Sequence, residues 1–140
     1  VKKIDTKIIK ILLESGIIPV VAPLGTDVDG NTYNINADYV AGELASALKA
    51  EKLILMTDID GLYKDIEDKN SLIKKIDILE IEKLIQDRTI NGGMIPKVES
   101  CVSALKNGVK EVHILNGEKE HSILMELFTK DGIGTIITNN

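Results

Sequence analysis

Apolar residues along this chain recur at helical spacing in some stretches and in short unbroken runs in others, and the two kinds of stretch alternate. "VKKIDTKIIKILLESG" places Ile4, Ile8, Ile11 and Leu12 on one stripe and stops at Gly16, which predicts an amphipathic helix with that stripe packed. "IIPVVAPL" is a run rich in branched residues and predicts a buried strand, with Pro19 making its early part an edge or entry position. In "TDVDGNTYNIN", Asp29 and Gly30 supply turn chemistry between two strand-like pieces, which predicts a small hairpin. "ADYVAGELASALKA" returns to helical spacing through Val40, Ala41, Leu44, Ala45 and Leu48, and "KLILMTD" reads as a second buried strand.

The polar stretch "IEDKNSLIKK" reads as an exposed excursion. "DILEIEKLIQD" predicts a helix capped by Asp77. The turn at Gly92 and Gly93 then leads into a helix with Val98, Cys101, Val102 and Leu105 as its buried stripe, ending near Gly108. "EVHIL" is a strand, "HSILMELFT" a helix and "GTIIT" a last strand. Strands separated by helices predict an α/β fold, a three-layer sandwich whose mainly parallel sheet lies between helices. The chain carries no internal repeat, low-complexity tract or linker, so residues 1–140 read as one domain. It opens at Val1, inside the first helical pattern, which predicts that an upstream part belongs to the same protein.

Composition narrows the function classes. A chain of 140 residues buries roughly two thirds of the surface its unfolded form exposes. With 44% hydrophobic and 28% charged residues it reads as an ordinary soluble globular protein. A net charge of -5 and 3% aromatics argue against a nucleic-acid surface, which needs a basic stripe and stacking rings. The single Cys101 has no internal disulfide partner, which points to a reducing cytoplasm. No apolar stretch is long enough to span a membrane, and none has the flank of a signal peptide.

In open α/β sheets ligands bind beyond the carboxyl ends of the strands, so the residues after each apolar run come first. In "TDIDGLY", Thr57, Asp58 and Asp60 leave the strand and Gly61 allows a tight backbone. A solvated acidic turn explains that stretch equally well, because Asp and Gly dominate ordinary turns. In "TYNINAD", Asn36 as an N-cap and Asp38 as a dipole-matched acid need no ligand, whereas Asn34 is not explained that way. Asp38 falls beside Ala41 and Ala45, at the edge of the apolar stripe. It is therefore expected to point toward the sheet, where a partly buried carboxylate needs donors such as a neighbouring lysine.

Lys97 stands just inside the start of its helix, where a cation is mildly unfavourable unless something anionic lies opposite. It lies on the border of the buried stripe, so a lysine running along apolar surface to reach water is the plain alternative. Polar sites at corresponding ends of neighbouring elements together suggest a phosphate pocket.

"TYNINAD", "AEKLILMTDIDGLY", "GGMIPKV", "GVKEVHILNG" and "HSILMELFTKDGIGTII" resemble, in order and spacing, the carboxyl-terminal half of the acetylglutamate-phosphorylating branch of the amino acid kinase family. The resemblance covers essentially the whole chain. It implies that the fold is the nucleotide-binding lobe of that family. It also implies transfer of the γ-phosphoryl group of MgATP to the side-chain carboxylate of N-acetyl-L-glutamate, in arginine biosynthesis. By the same resemblance Asn34 holds the acylated amino acid, Asp38 orients catalytic lysines and Lys97 stabilises the transferring phosphoryl. Asp58, Ile59, Asp60, Gly61, Leu62 and Tyr63, with Thr89, Ile90 and Asn91, resemble its nucleotide-contacting segments. His113, Glu126 and Gly132 match positions that line the L-arginine site of the feedback-inhibited branch. On residue type alone, His113 reads equally as a satisfied core residue and Glu126 as a surface helix charge. The full-length protein is expected to be a homo-oligomer.

The sequence departs from the family where an amino-terminal half should bring a glycine-rich phosphate loop, a second catalytic lysine and an arginine for the substrate carboxylate. The isolated chain is therefore expected to lack turnover. Two alternatives remain at this point. One is another kinase of the family, acting on aspartate, carbamate or a nucleoside monophosphate; "TYNINAD" together with "GGMIPK" favours acetylglutamate. The other is a non-catalytic module that binds nucleotide or arginine.

Overall fold

The computed structural model describes residues 2–139. α1 (Lys7–Glu14) is followed by a hairpin of β1 (Leu24–Thr26) and β2 (Thr32–Asn34), and then by α2 (Ala37–Leu48) and β3 (Lys52–Thr57). An exposed excursion with one 3-10 turn at Lys69–Ser71 leads to β4 (Lys75–Asp77), α3 (Ile78–Gln86) and α4 (Met94–Lys106). β5 (Glu111–Asn116), α5 (Ser122–Phe128) and β6 (Thr135–Thr138) complete the described chain.

Local chemistry sets the element ends. The hairpin turn is built on Asp27, whose carboxylate accepts from the amides of Asp29 and Asn31, the Asn31 side chain and the Tyr33 hydroxyl, each at 2.9 Å. These donors, the Asn31 side chain foremost, hold the Asp27 carboxyl down at about 2. Asn36 caps α2 by accepting from the Tyr39 amide at 3.1 Å. Asp77 caps α3 as expected, within a reciprocal box in which the Glu80 side chain returns to the Asp77 amide.

Among the described residues, four strands form the main sheet in the order β3-β5-β6-β4. β3 pairs parallel with β5 (Lys52 opposite Glu111) and β4 parallel with β6 (Lys75 opposite Ile136). β5 and β6 are antiparallel, with Ile114 opposite Thr135. The sheet is therefore mainly parallel, as expected, with this one antiparallel step. α5 rises only about 10 Å, half of the about 20 Å that six residues of β5 cover. The chain consequently enters β6 at the end of the sheet where β5 finished.

One edge of the sheet thus collects the exits of β3 and β5 and the entries of β6 and β4. Short connections place the amino ends of α2 and α4 toward the same edge. The core beneath these helices contains Leu53, Leu55, Ile81, Val98, Cys101, Leu105, Val112, Ile114 and Ile137. His113 and Leu115 alternate onto the other face of β5, where α5 lies.

Two expectations for the first part of the chain are corrected. α1 forms, but its stripe is not packed: Ile8 is 67% exposed and Ile11 is 47% exposed, while Ile4 and Leu12 are half-buried. "IIPVVAPL" is not a buried strand either, since residues 17–22 lie outside any strand and Ile18 and Val20 are among the most exposed apolar side chains. A buried strand needs partners for its backbone groups on both sides. No neighbour among the described residues supplies them.

Candidate functional site

The sequence-predicted acid and base of the site meet at the sheet edge just described. Lys97, in the opening turn of α4, donates from Nζ to Asp38 Oδ2 at 2.7 Å, and Asp38 is in the first turn of α2. The two side chains are 15% and 27% exposed, so the pair is partly desolvated and its hydrogen bond is charge-assisted. The approach of the helices makes this possible. One turn further along, a Cβ on Gly42 would stand 3.2 Å from the Ser100 carbonyl oxygen, so the lack of a side chain there lets α2 lie close against α4. Pro96 is tolerated because amides in the first turn have no intrahelical acceptor. Asn34 ends β2, exposed, four residues before Asp38.

A cavity of ≈ 380 Å³ reaches the first residue of α4, Met94. Ile59, Gly61, Leu62 and Tyr63 form one wall and Thr89, Ile90 and Asn91 the other, with Met94 of α4, one turn before Lys97, between them. Parts of both sequence segments expected to contact a nucleotide therefore line a single space. Its volume falls within the range of about 300–1,000 Å³ usual for ligand pockets.

Asp58 and Asp60 do not line that space. Asp58 is exposed and accepts from the Thr57 hydroxyl at 3.0 Å. Asp60 turns to the exit of β5, where Lys119 Nζ lies at 2.8 Å and Asn116 Nδ2 donates at 3.0 Å. The Lys119 ammonium does most to hold the Asp60 carboxyl below its usual range, against burial and with help from Asn116. Burial first, then the neighbouring Asp60 charge, pushes the Tyr63 phenol up, so it remains a donor at neutral pH. Asn116 and Lys119 were missed by sequence reasoning, although the rule that ligands gather beyond strand ends applies to "NGEK" after β5 as well as to "TDIDGLY" after β3.

His113, Glu126 and Gly132 also come together, on the α5 face of the sheet. The Glu126 side chain has no exposed surface, so the surface-charge reading of it does not hold. Oε1 is 2.8 Å from His113 Nδ1, and Oε2 accepts from the amides of Ile133 at 2.7 Å and Gly134 at 2.8 Å. Burial pushes this carboxyl up, but the bonds from His113, Gly134 and Ile133 outweigh it and leave the group below its ordinary value. His113 is buried as a core histidine would be. Its Nε2 has no hydrogen-bond partner and lies 3.4 Å from Glu111 Oε2, a carboxylate also bonded by Lys52.

Gly132 has φ +56, and a Cβ there would stand 2.7 Å from Glu126 Oε2. The glycine thus makes room for a carboxylate of this chain.

A larger cavity of ≈ 900 Å³, which shares no lining residue with the smaller one, is walled by residues of the first nine, the hairpin and α2, among them Ile9, Val21, Ile35, Val40 and Leu44. Among the described residues no group of three or more His, Cys, Asp or Glu converges as a metal cage. None of the described helices is long and apolar enough to cross a membrane.

Comparison with known proteins adds to this geometry. The sequence profile of the amino acid kinase family matches residues 1–116. The chain is 53% identical over 134 residues to the acetylglutamate kinase of Archaeoglobus fulgidus, covering 96% of this chain and 46% of that protein. It therefore spans about half the length of the curated relatives it matches. Among solved structures it is similar to the N-acetylglutamate synthase of Neisseria gonorrhoeae complexed with coenzyme A and N-acetyl-glutamate, at 34% identity and a TM-score of 0.89, covering 99% of this chain and 32% of that one. The same synthase complexed with coenzyme A and L-arginine gives 33% identity and a TM-score of 0.84 over the same shares.

Proposed function

The chain belongs to the amino acid kinase family, and from that premise we propose that it is the carboxyl-terminal, nucleotide-binding lobe of an acetylglutamate kinase. The reaction is transfer of the γ-phosphoryl group of ATP to the side-chain carboxylate of N-acetyl-L-glutamate, a step of arginine biosynthesis in the cytoplasm. The observation that carries the reading is the Lys97–Asp38 pair at the start of α4, the helix whose first residue, Met94, lines a pocket together with Ile59, residues 61–66 and residues 89–91. The identity to curated acetylglutamate kinases supports the choice of acceptor.

Phosphoryl transfer asks little covalent chemistry of a protein and much positioning of cations against the equatorial oxygens. Lys97 is the cation for that task. An ammonium has three donors, and Asp38 takes one while fixing where the head group sits. Ile59, Gly61, Leu62 and Tyr63, with residues 89–91, hold the nucleotide, and Asn34, on the strand that feeds α2, binds the acylated amino acid. Mg2+ suits this donor set as an ion carried by the phosphates, since it needs one or two carboxylates at most rather than a protein cage. When bound, it neutralises charge on those phosphates.

An amino-terminal lobe completes the substrate side in the full-length homo-oligomer, and the chain alone has little or no turnover. L-Arginine inhibits the full-length enzyme through the region of His113, Glu126 and Gly132. The Neisseria synthase, solved in complex with N-acetyl-glutamate and in complex with L-arginine, is consistent with small ligands of these kinds.

A coupled ADP-release assay on the full-length protein tests the activity. Turnover is expected with N-acetyl-L-glutamate and not with aspartate, carbamate or nucleoside monophosphates. Absence of ADP release with N-acetyl-L-glutamate overturns the reading. A titration of the same activity against L-arginine tests the inhibition.

A further inference from the structure

The loop that carries one wall of the pocket is fastened at its neck by a side chain that does not reach the pocket. Thr135 opens β6 and has no exposed surface. Its Oγ1 accepts from the Leu62 amide at 2.8 Å and donates to the Ile73 carbonyl at 2.6 Å. Leu62 and Ile73 are the two ends of the excursion between β3 and β4, and they also bond each other, the Ile73 amide donating to the Leu62 carbonyl at 2.8 Å. Beyond them Tyr63 bridges Leu72, and the Lys64 amide donates to the Ser71 carbonyl at 3.1 Å. One hydroxyl therefore ties both strands of the neck to the sheet.

The loop lies tightly against this residue. A Cβ on Gly61 would stand 2.4 Å from Thr135 Oγ1 and 3.0 Å from the Thr135 amide nitrogen. From the other direction, Glu126 Oε2 holds the amides of Ile133 and Gly134, which immediately precede Thr135. Gly134 packs against the neighbouring strand so closely that a Cβ would fall 2.3 Å from the Ile114 carbonyl oxygen. Thr135 is fixed from both sides and can transmit that fixity to Leu62.

We infer that Thr135 is a positioning residue for the nucleotide: it sets the placement of the pocket wall carried by residues 62–66 without touching the ligand. The inference rests on the pocket being a nucleotide site, as proposed above. Replacing the hydroxyl by a methyl of similar shape leaves the Leu62 amide without an acceptor and the Ile73 carbonyl without this donor, in a place closed to water. The neck gains by moving toward solvent, and the wall moves with it.

The test uses the full-length protein. Thr135→Val is expected to raise the Kd for MgATP by calorimetry, and the KM for ATP, about tenfold. The KM for the acceptor stays within about twofold, and Thr135→Ser, which keeps the hydroxyl, stays near wild type on every measure. Amide hydrogen exchange should accelerate at Leu62 and residues 63–66 in the Val variant and not in the middle of α4. If Thr135→Val does not fold, Thr135→Ala removes the same hydroxyl and is read in the same way. A wild type that binds MgATP, with a hydroxyl-less variant that binds it equally well at a lowered Tm, overturns the inference alone. A wild type that does not bind MgATP overturns the nucleotide reading itself, and the inference falls with it.

Discussion

Lys97 Nζ and Asp38 Oδ2 stand 2.7 Å apart across the seam between α4 and α2, each in the opening turn of its helix. A lysine at a helix start opposes the helix dipole, and here a carboxylate on the neighbouring helix offsets that. If Lys97 stabilises charge that grows in the transition state, Lys97→Ala in the full-length enzyme lowers kcat by about two orders of magnitude or more, while ATP affinity changes far less. Near-normal kcat in the variant would reduce Lys97 to a side chain reaching for water.

Asp38→Asn keeps the shape and removes the charge that places the ammonium. The pair is partly exposed, so solvent replaces much of the lost partner, and stability is expected to fall by no more than about 1 kcal/mol. Activity should nevertheless drop at least about tenfold. Urea unfolding and kcat measured on the same preparation separate the two effects. A loss of stability with unchanged kcat leaves Asp38 as a dipole-matching acid and nothing more.

The helix seam makes a separate prediction. Gly42 is buried against the Ser100 carbonyl, with Ala104 beyond it. Gly42→Val adds three carbons where even one comes within 3.2 Å of backbone, and overpacking of this kind costs about 1–3 kcal/mol. The helices must part, which draws Lys97 away from Asp38, so kcat should fall although residue 42 is not placed against any substrate. A stable variant of full activity would mean that the spacing of α2 and α4 does not govern the pair.

How far the chain could be read in advance depended on where its partners lie. Helices α2, α3 and α4 were legible because their stripes and caps are local: Asn36, Asp77 and the run from Val98 to Leu105 each specify structure within a few residues. The Lys97–Asp38 pair was legible because each residue sits on the border of an apolar stripe. Ahead of the hairpin, α1 was legible but the burial of its stripe and of residues 17–22 was not, because an apolar run such as "IIPVV" states a need for burial and says nothing of what will cover it. Which step of the mainly parallel sheet runs antiparallel was not legible, because it depends on the length of α5 relative to β5. Thr135 carried no local signal at all, since its two partners lie 73 and 62 residues away.

Cys101, at the centre of the α4 stripe, has no exposed surface, and burial first, with the Asp38 charge, pushes its thiol up to about 12. Iodoacetamide at pH 8 should therefore label it only through opening of the fold. The labelling rate is expected to rise steeply with urea and to fall when MgATP is added to the full-length protein. Fast labelling in the absence of denaturant contradicts the packing of α4 on the sheet.

Glu126 ties α5 to β5 and to the turn before β6, and its charge makes that tie dependent on pH. Its carboxyl in the folded protein lies below the value of 4.5 that it has when unperturbed. Between the two values the unfolded chain binds the extra proton, so stability rises with pH across that window. The contribution is fully present above about 4.5 and is lost as pH falls through the folded value. Glu126→Gln cannot titrate, and it exchanges charge-assisted bonds to two amides and His113 for neutral ones. At pH 7 the variant should be less stable by roughly 1–3 kcal/mol. As pH falls from 5 toward 3 the two stabilities should converge, because only the wild type loses this term. Asp27, Glu51, Asp60 and Glu111 also have lowered carboxyl values and titrate in the same direction, but they are present in both proteins, so the difference between the two urea midpoints reports Glu126 together with the His113 that it bonds. Midpoints that run parallel from pH 7 to pH 3 would mean that the carboxylate's bonds to His113, Ile133 and Gly134 do not depend on its charge.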